Sequence, residues 1–196
     1  MNKKQLEISL SKLDSLCNKN IKLEQYQLEG NLAAEFLLFA LEDIKGKVVA
    51  DFGCGNGILG IGCLLLGAKK VYFVDLDKNS IEITKKNSED FTNIKFYNCD
   101  VEEFNKKVDT VVMNPPFGVQ ERKADKKFLE KAFEISDNIY SIHKIESEKF
   151  IEKIALENNF KVLDVIKTKF LIKKSYSFHK KEKYYVEIGI WKLKKI

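Results

Sequence analysis

Apolar residues near the start of the chain recur every three or four positions. Leu6, Ile8, Leu10, Leu13 and Leu16 keep mostly helical spacing over residues 2–17, and Leu32, Phe36, Phe39 and Ala40 do so over 31–42. From Lys47 the rhythm changes. Short apolar runs at 47–52, 71–74, 94–97 and 108–113 predict buried strands, while 58–66 and 78–89 read as helices between them. Gly67 closes the first of these helices, and Asn114-Pro115-Pro116 breaks the fourth strand. Further on, 128–135 predicts a helix, 138–142 a strand and 146–157 a helix. The end is different: 161–171 and 184–193 read as two long strands with no helix between them. Strand and helix alternate, then two strands pair through a loop. This order predicts an α/β fold with a doubly wound, mostly parallel seven-stranded sheet and one antiparallel strand near its edge.

A chain of 196 residues is long enough for one full core and short for two. Residues 1–196 are therefore expected to form one domain, with a helical region at 1–45 ahead of a Rossmann-like core at 46–196. Hydrophobic content of 44% beside 32% charge belongs to a folded chain. No apolar run reaches the roughly 18 residues of a membrane span, and the first residues lack the apolar stretch of a secretory signal. A cytoplasmic protein is expected. Cys17, Cys54, Cys63 and Cys99 form no C-x-x-C pair and have no His at zinc-ligand spacing, so buried free thiols and no metal are expected. Net charge is +5, and residues 161–196 carry eleven Lys against three acids. That imbalance suits either a polyanionic partner or a solvated basic surface.

Asp51-Phe52-Gly53-Cys54-Gly55-Asn56-Gly57 joins the first core strand to the first core helix. Glycines here permit positive φ and close approach of a ligand to the backbone. Gly55, Gly57 and Gly60 fit G-x-G-x-x-G, with Asp75 at the spacing of a ribose-binding acid, so a nicotinamide-dependent dehydrogenase competes on these residues. The acids favour S-adenosylmethionine. Asp51 before the glycines suits an amino group and would repel a pyrophosphate. Asp75 ends the second strand, where its two oxygens can accept from ribose hydroxyls. Asp100, after the third strand, can accept from an adenine amine. Each acid can instead be a helix cap or turn residue, and Asp77 before Lys78 reads as such a cap. The expected cofactor contacts are Asp51, Gly53, Cys54, Gly55, Gly57, Asp75, Asp100 and Asn114.

Asn114-Pro115-Pro116-Phe117 follows the fourth strand, at the carboxyl edge where such sheets bind ligands. An exocyclic adenine amine is a poor nucleophile because its lone pair is delocalised into the ring. The Asn114 side-chain oxygen and the Pro115 carbonyl can accept its two N–H bonds and favour a more tetrahedral nitrogen. Pro115 and Pro116 stiffen the backbone that aims them. Phe117 can stack on a base taken out of its helix or loop, and Gly118 leaves it room.

Together these motifs resemble the class I methyltransferases, in the branches that methylate adenine N6 or glutamine. More narrowly, the chain is similar to the methyltransferase-like protein 5 family and its archaeal relatives. The likeness runs through Leu23-Glu24-Gln25-Tyr26, Ala33-Ala34, Val48-Val49-Ala50-Asp51, residues 109–118, Tyr140-Ser141-Ile142-His143-Lys144 and Ser175-Tyr176-Ser177-Phe178-His179-Lys180-Lys181. It implies adenine-N6 methylation of small-subunit ribosomal RNA, Gln25 and Tyr26 as a lid over the cofactor and, in eukaryotic members, a small zinc-binding activator subunit. One departure is Leu28, where the family often has Thr.

Two groups of basic residues are candidates for RNA contact. Lys173, Lys174, Lys180 and Lys181 flank Tyr176, Phe178 and His179 between the last two strands, a mixture suited to phosphate contact and base stacking. Arg122 and Lys123 follow the Asn-Pro-Pro-Phe segment, with Lys126 and Lys127 beyond. His143, at the end of the fifth strand, reads as a packed or hydrogen-bonded residue. Two other functions remain open: a glutamine-N5 methyltransferase acting on protein, whose amide offers the same two N–H donors, and a non-catalytic RNA-binding or assembly factor.

Overall fold

The computed structural model describes residues 1–16, 28–116, 124–173 and 183–196. Seven strands form one sheet: β1 (Val48–Phe52), β2 (Lys70–Asp75), β3 (Ile94–Asn98), β4 (Thr110–Met113), β5 (Asn138–Lys144), β6 (Phe160–Lys173) and β7 (Lys183–Lys195). Their order is β3-β2-β1-β4-β5-β7-β6. Strands β1 to β5 are parallel, and β7 lies antiparallel between β5 and β6. The expected fold, including its single antiparallel strand near the edge, is the fold observed.

Among the described residues six helices flank the sheet: α1 (Lys3–Ser11), α2 (Gly30–Phe39), α3 (Ile58–Leu65), α4 (Lys78–Asn87), α5 (Ala124–Ile135) and α6 (Glu148–Glu157). Alternation along the strands sorts them onto two faces. Val49, Val71, Phe73 and Val112 share a buried cluster with Leu6, Leu10, Phe36, Leu37, Ile61 and Ile81 from α1–α4. Ala50, Phe52, Val111, Met113 and Ile139 pack with Leu129, Phe133, Ile151 and Ile154 from α5 and α6. Leu28, at the departure from the family pattern, is buried in the first cluster. Three glycines serve the packing of α2 and α3. A Cβ on Gly60 would lie 2.2 Å from the Phe73 ring, one on Gly62 2.1 Å from Leu37, and one on Gly30 2.3 Å from the Ser11 hydroxyl.

Some element boundaries differ from the periodicity. The first helix ends at Ser11 rather than near 17, because the chain at Asp14 bonds to Asn87 of α4 instead of to its own preceding turn. Helix α5 begins at Ala124, four residues before its apolar stripe, since its first turn is polar. Strand β4 begins at Thr110; the preceding Val108 and Asp109 N–H groups bond to Ile135 and Val48 carbonyls as a connecting loop.

The β6–β7 hairpin is longer than the sheet it joins. Strand β5 pairs with β7 only from Ile188 to Lys194, whereas β6 pairs with β7 as far as Lys173 and Lys183. Residues 183–187 and their partners therefore continue as a two-stranded ribbon past Lys144, about 16 Å beyond the carboxyl end of β5.

Candidate active site

Strand register assembles the site. Phe52 pairs with Val74 on one side and Met113 on the other, so the next residues, Gly53, Asp75 and Asn114, stand level at the carboxyl edge. Asp75 pairs in turn with Asn98. Two strand spacings, about 10 Å, separate the Asp75 and Asn114 positions, with the glycine loop between them. A ligand made of a nucleoside and an amino acid spans such a distance.

The loop is formed by left-handed glycines: φ is +64° at Gly53, +58° at Gly55 and +84° at Gly57, which precedes the first turn of α3. A Cβ on Gly55 would meet nothing within 4 Å, so the space beside it is open, while Gly53 has the Phe128 ring of α5 against it. Cys54 is buried with its thiol 3.7 Å from the Thr84 hydroxyl, and its backbone is engaged within the chain: its N–H donates to the Val74 carbonyl at 3.1 Å and its carbonyl accepts the Gly57 N–H at 2.7 Å. Among the described residues Cys54, Cys63 and Cys99 are free thiols, and no cluster of potential ligands can hold a metal ion.

Asp51 and Asp75 are both sealed under this loop, at 1% and 8% exposure. Asp51 accepts the Gly60 N–H of α3 at 2.8 Å. Burial pushes its carboxyl up to about 7, against the lowering effect of that bond and with a further rise from the Asp75 charge. Asp75 accepts the Gly55 N–H at 2.9 Å through one oxygen and the Asp77 N–H at 2.9 Å through the other. Burial raises it to about 6, and the two backbone donors oppose the rise. The Ser80 side chain also hydrogen-bonds Asp75, so its two oxygens already hold three donors and one lone pair is left for a ribose hydroxyl. Leu76, 55% exposed just after Asp75, offers an apolar surface beside it.

Asp77 is the N-cap of α4, as its position suggested. Asp100 also caps a short turn, accepting the Glu102 N–H at 3.1 Å, and its other oxygen pairs with Lys127 of α5 at 2.9 Å. Its burial works to raise the carboxyl, but the Lys127 bond and backbone donors outweigh it and hold the carboxyl below the usual carboxylate range. Both oxygens are thus engaged within the chain, one of them by a cation that sequence spacing did not single out as its partner.

Asn114 and Pro116 are half-buried at the end of β4, and Pro115 is buried. Beside them, His143 of β5 is 2% exposed and its Nε2 lies 2.7 Å from the Ser141 hydroxyl. Its Nδ1 is 3.8 Å from the Asp125 carboxylate, beyond hydrogen-bond reach. Burial lowers the imidazole to about 3, so it is neutral, the packed role its position suggested. Lys173 ends β6 opposite Lys183, on the ribbon that passes the carboxyl edge of the sheet. Gln25, Tyr26, Phe117, Arg122, Lys123, Lys174, Tyr176, Phe178, His179, Lys180 and Lys181 lie outside the described residues. No helix among the described residues is long and apolar enough to cross a membrane.

A sheet of this order, with a glycine loop after its first strand and an acid closing its second, defines an S-adenosylmethionine-dependent methyltransferase. The family model for the methyltransferase small domain matches residues 29–173. The rRNA N(6)-adenosine-methyltransferase METTL5 of Danio rerio is 34% identical, over 96% of this chain and 96% of its own length. An uncharacterised protein of Methanocaldococcus jannaschii is 38% identical over 99% of this chain and 94% of its own. A crystal structure from Pyrococcus horikoshii, of a protein proposed to be an RNA methyltransferase, superposes with a TM-score of 0.94 at 46% identity, covering 100% of this chain and 98% of that one. More distant structures at 18–19% identity, which share the fold, hold S-adenosylmethionine or its demethylated product. The chain belongs to the methyltransferase small-domain family, on the branch of the METTL5 proteins and their archaeal relatives.

Proposed function

We infer that this protein transfers a methyl group from S-adenosylmethionine to the N6 amine of an adenine in ribosomal RNA, with small-subunit RNA as the expected target. The observation that carries this reading is the level row of Gly53, Asp75 and Asn114 at one sheet edge. It supports a clamping role for Asn114, whose position is one strand spacing from the glycine loop. The names of the full-length relatives in Danio rerio and Drosophila melanogaster support adenine and ribosomal RNA as substrate.

When bound, S-adenosylmethionine supplies a methyl group on a positively charged sulfur, which needs no further activation. The work left to the chain is positioning. Asp75 accepts a ribose hydroxyl with its remaining lone pair, and the buried Asp51 places negative potential behind the loop where an ammonium group is favoured. Asn114 Oδ1 and the Pro115 carbonyl accept the two N–H bonds of the target amine and turn its lone pair toward the methyl group. Pro115 and Pro116 keep those acceptors aimed before the base arrives, and Phe117 stacks on the base. The β6–β7 ribbon passes the same edge, which supports assigning RNA contact to the basic, aromatic sequence between its two strands. A cytoplasmic site of action and a zinc-binding activator subunit belong to this reading through the family likeness alone.

The test is to incubate purified small-subunit RNA with the protein and labelled S-adenosylmethionine, then digest to nucleosides for mass analysis. N6-methyladenosine at one mapped position is expected. Label appearing only in protein, as methylated glutamine, would replace this reading with a protein-directed one.

A further inference from the structure

The glycine loop is supported from behind by α4, and the same support holds the chain that leaves α1. Thr84 donates its hydroxyl to the Gly55 carbonyl at 3.0 Å, and one turn on, Asn87 Nδ2 donates to the Asn56 carbonyl at 2.9 Å. Successive carbonyls of the loop are thereby drawn onto one helix. In a planar trans peptide the N–H points opposite to the C=O, so these bonds turn the N–H groups of Asn56 and Gly57 away from α4. The Gly57 N–H closes the turn onto Cys54 at 2.7 Å, and the Gly55 N–H holds Asp75.

Asn87 has a second set of bonds. Its Oδ1 accepts the Asp14 N–H at 2.9 Å, and its Nδ2 also donates to the Asp14 carbonyl at 3.0 Å. This two-point pairing is that of neighbouring strands, with a carboxamide in place of one peptide. Both hydrogens of its amide are used, one on each side. Asn56 closes the triangle by donating its own Nδ2 to the Asp14 carbonyl at 3.1 Å. Three segments far apart in sequence thus meet on two asparagine side chains. Beside them lies the exposed Lys86–Asp14 ion pair, 2.7 Å long.

We propose that Asn87, with Asn56, is a positioning residue for the cofactor: its carboxamide clasps the chain after α1 to the glycine loop, so that the two respond to S-adenosylmethionine as one unit. The inference rests on the cofactor and not on the RNA substrate, so it stands or falls separately from the choice of target base. Neither asparagine is required to touch the cofactor. Asn87 is the last residue of α4, where loss of its side chain leaves the helix and the buried clusters intact.

Calorimetric titration of S-adenosylmethionine into the full chain tests this, alongside thermal melting and amide exchange. Asn87→Ala is expected to raise the cofactor dissociation constant about tenfold, and Asn56→Ala about threefold, from lost hydrogen bonds worth roughly one decade together. The two effects should not add, because both bonds share the Asp14 carbonyl. Lys86→Gln, which removes only the ion pair, should bind within about twofold of wild type. In the wild type, cofactor should slow exchange of the Asp14 amide; in Asn87→Ala it should not. A purely structural role would lower the melting midpoint and leave the dissociation constant and the coupling of the Asp14 amide unchanged, and that result overturns the proposal. If Asn87→Ala fails to fold, Asn56→Ala decides by the same two readouts.

Discussion

Asn114 stands one residue past the last paired position of β4, and its value lies in what its side chain can accept. Asn114→Ala is expected to lower turnover about a hundredfold or more, as loss of a preorganised transition-state contact does, while cofactor affinity stays near that of wild type. Steady-state rates on RNA together with calorimetry check both halves; turnover close to wild type would remove the clamping role. Single residues also show what could be read locally. Asp77 as a cap was legible because its partner, Asn79, is two residues away. The Asp100–Lys127 pair was not, because its partner arrives on α5, 27 residues on. Thr84, Asn87 and Leu76 went unmarked for the same reason: nothing in their neighbours announces the glycine loop or Asp75.

At the scale of the element, α3 sits close on β2 because Gly60 has no side chain. An alanine Cβ would collide with Phe73, whose ring is itself stacked on Phe96 at 5.5 Å and cannot retreat. Gly60→Ala should therefore destabilise the fold by about 2 kcal/mol through overpacking, measured by urea unfolding; an unchanged midpoint would show that α3 shifts freely. The β6–β7 ribbon makes a prediction of another kind. Replacing Lys180 and Lys181 with Ala should weaken RNA binding and flatten the log–log salt dependence by about one to two units, since fewer counterions are released. Equal salt slopes in filter-binding or anisotropy titrations would reduce the segment to a solvated surface. The ribbon's strands were legible as long runs without an intervening helix. That they overshoot β5 was not, because the point where pairing stops depends on a strand forty residues earlier.

For the whole molecule, buried titratable groups give opposing pH dependences. Asp51 and Asp75 hold their protons up to about 7 and about 6, whereas an unfolded chain releases them near 3.8. Between these values the folded state binds more protons, so their contribution to stability is present at low pH and lost as pH rises toward 7. His143 works the other way. Its folded value of about 3 lies below the ordinary 6.5, so its contribution is present above 6.5 and lost as pH falls. Asp51→Asn keeps an acceptor for the Gly60 N–H and removes the charge. Without ligand, this variant should gain on wild type as pH rises from about 5 to about 8, when followed by thermal melting. A constant difference across that range would mean that Asp51 is not the titrating group.

The sequence alone determined the class of elements, their order, the loop of glycines and the Asn-Pro-Pro-Phe segment, because periodic burial, turn chemistry and short motifs are local properties. It also determined the family, since the likeness is spread along the whole chain. Tertiary structure decided which residues stand level at the carboxyl edge, which acid meets Lys127, that His143 is neutral, and that Asp14, Asn56 and Asn87 share one clasp. Each of these depends on strand register or helix docking between segments tens of residues apart. Such contacts are set by how whole faces pack, and they leave no periodic trace in the residues that make them.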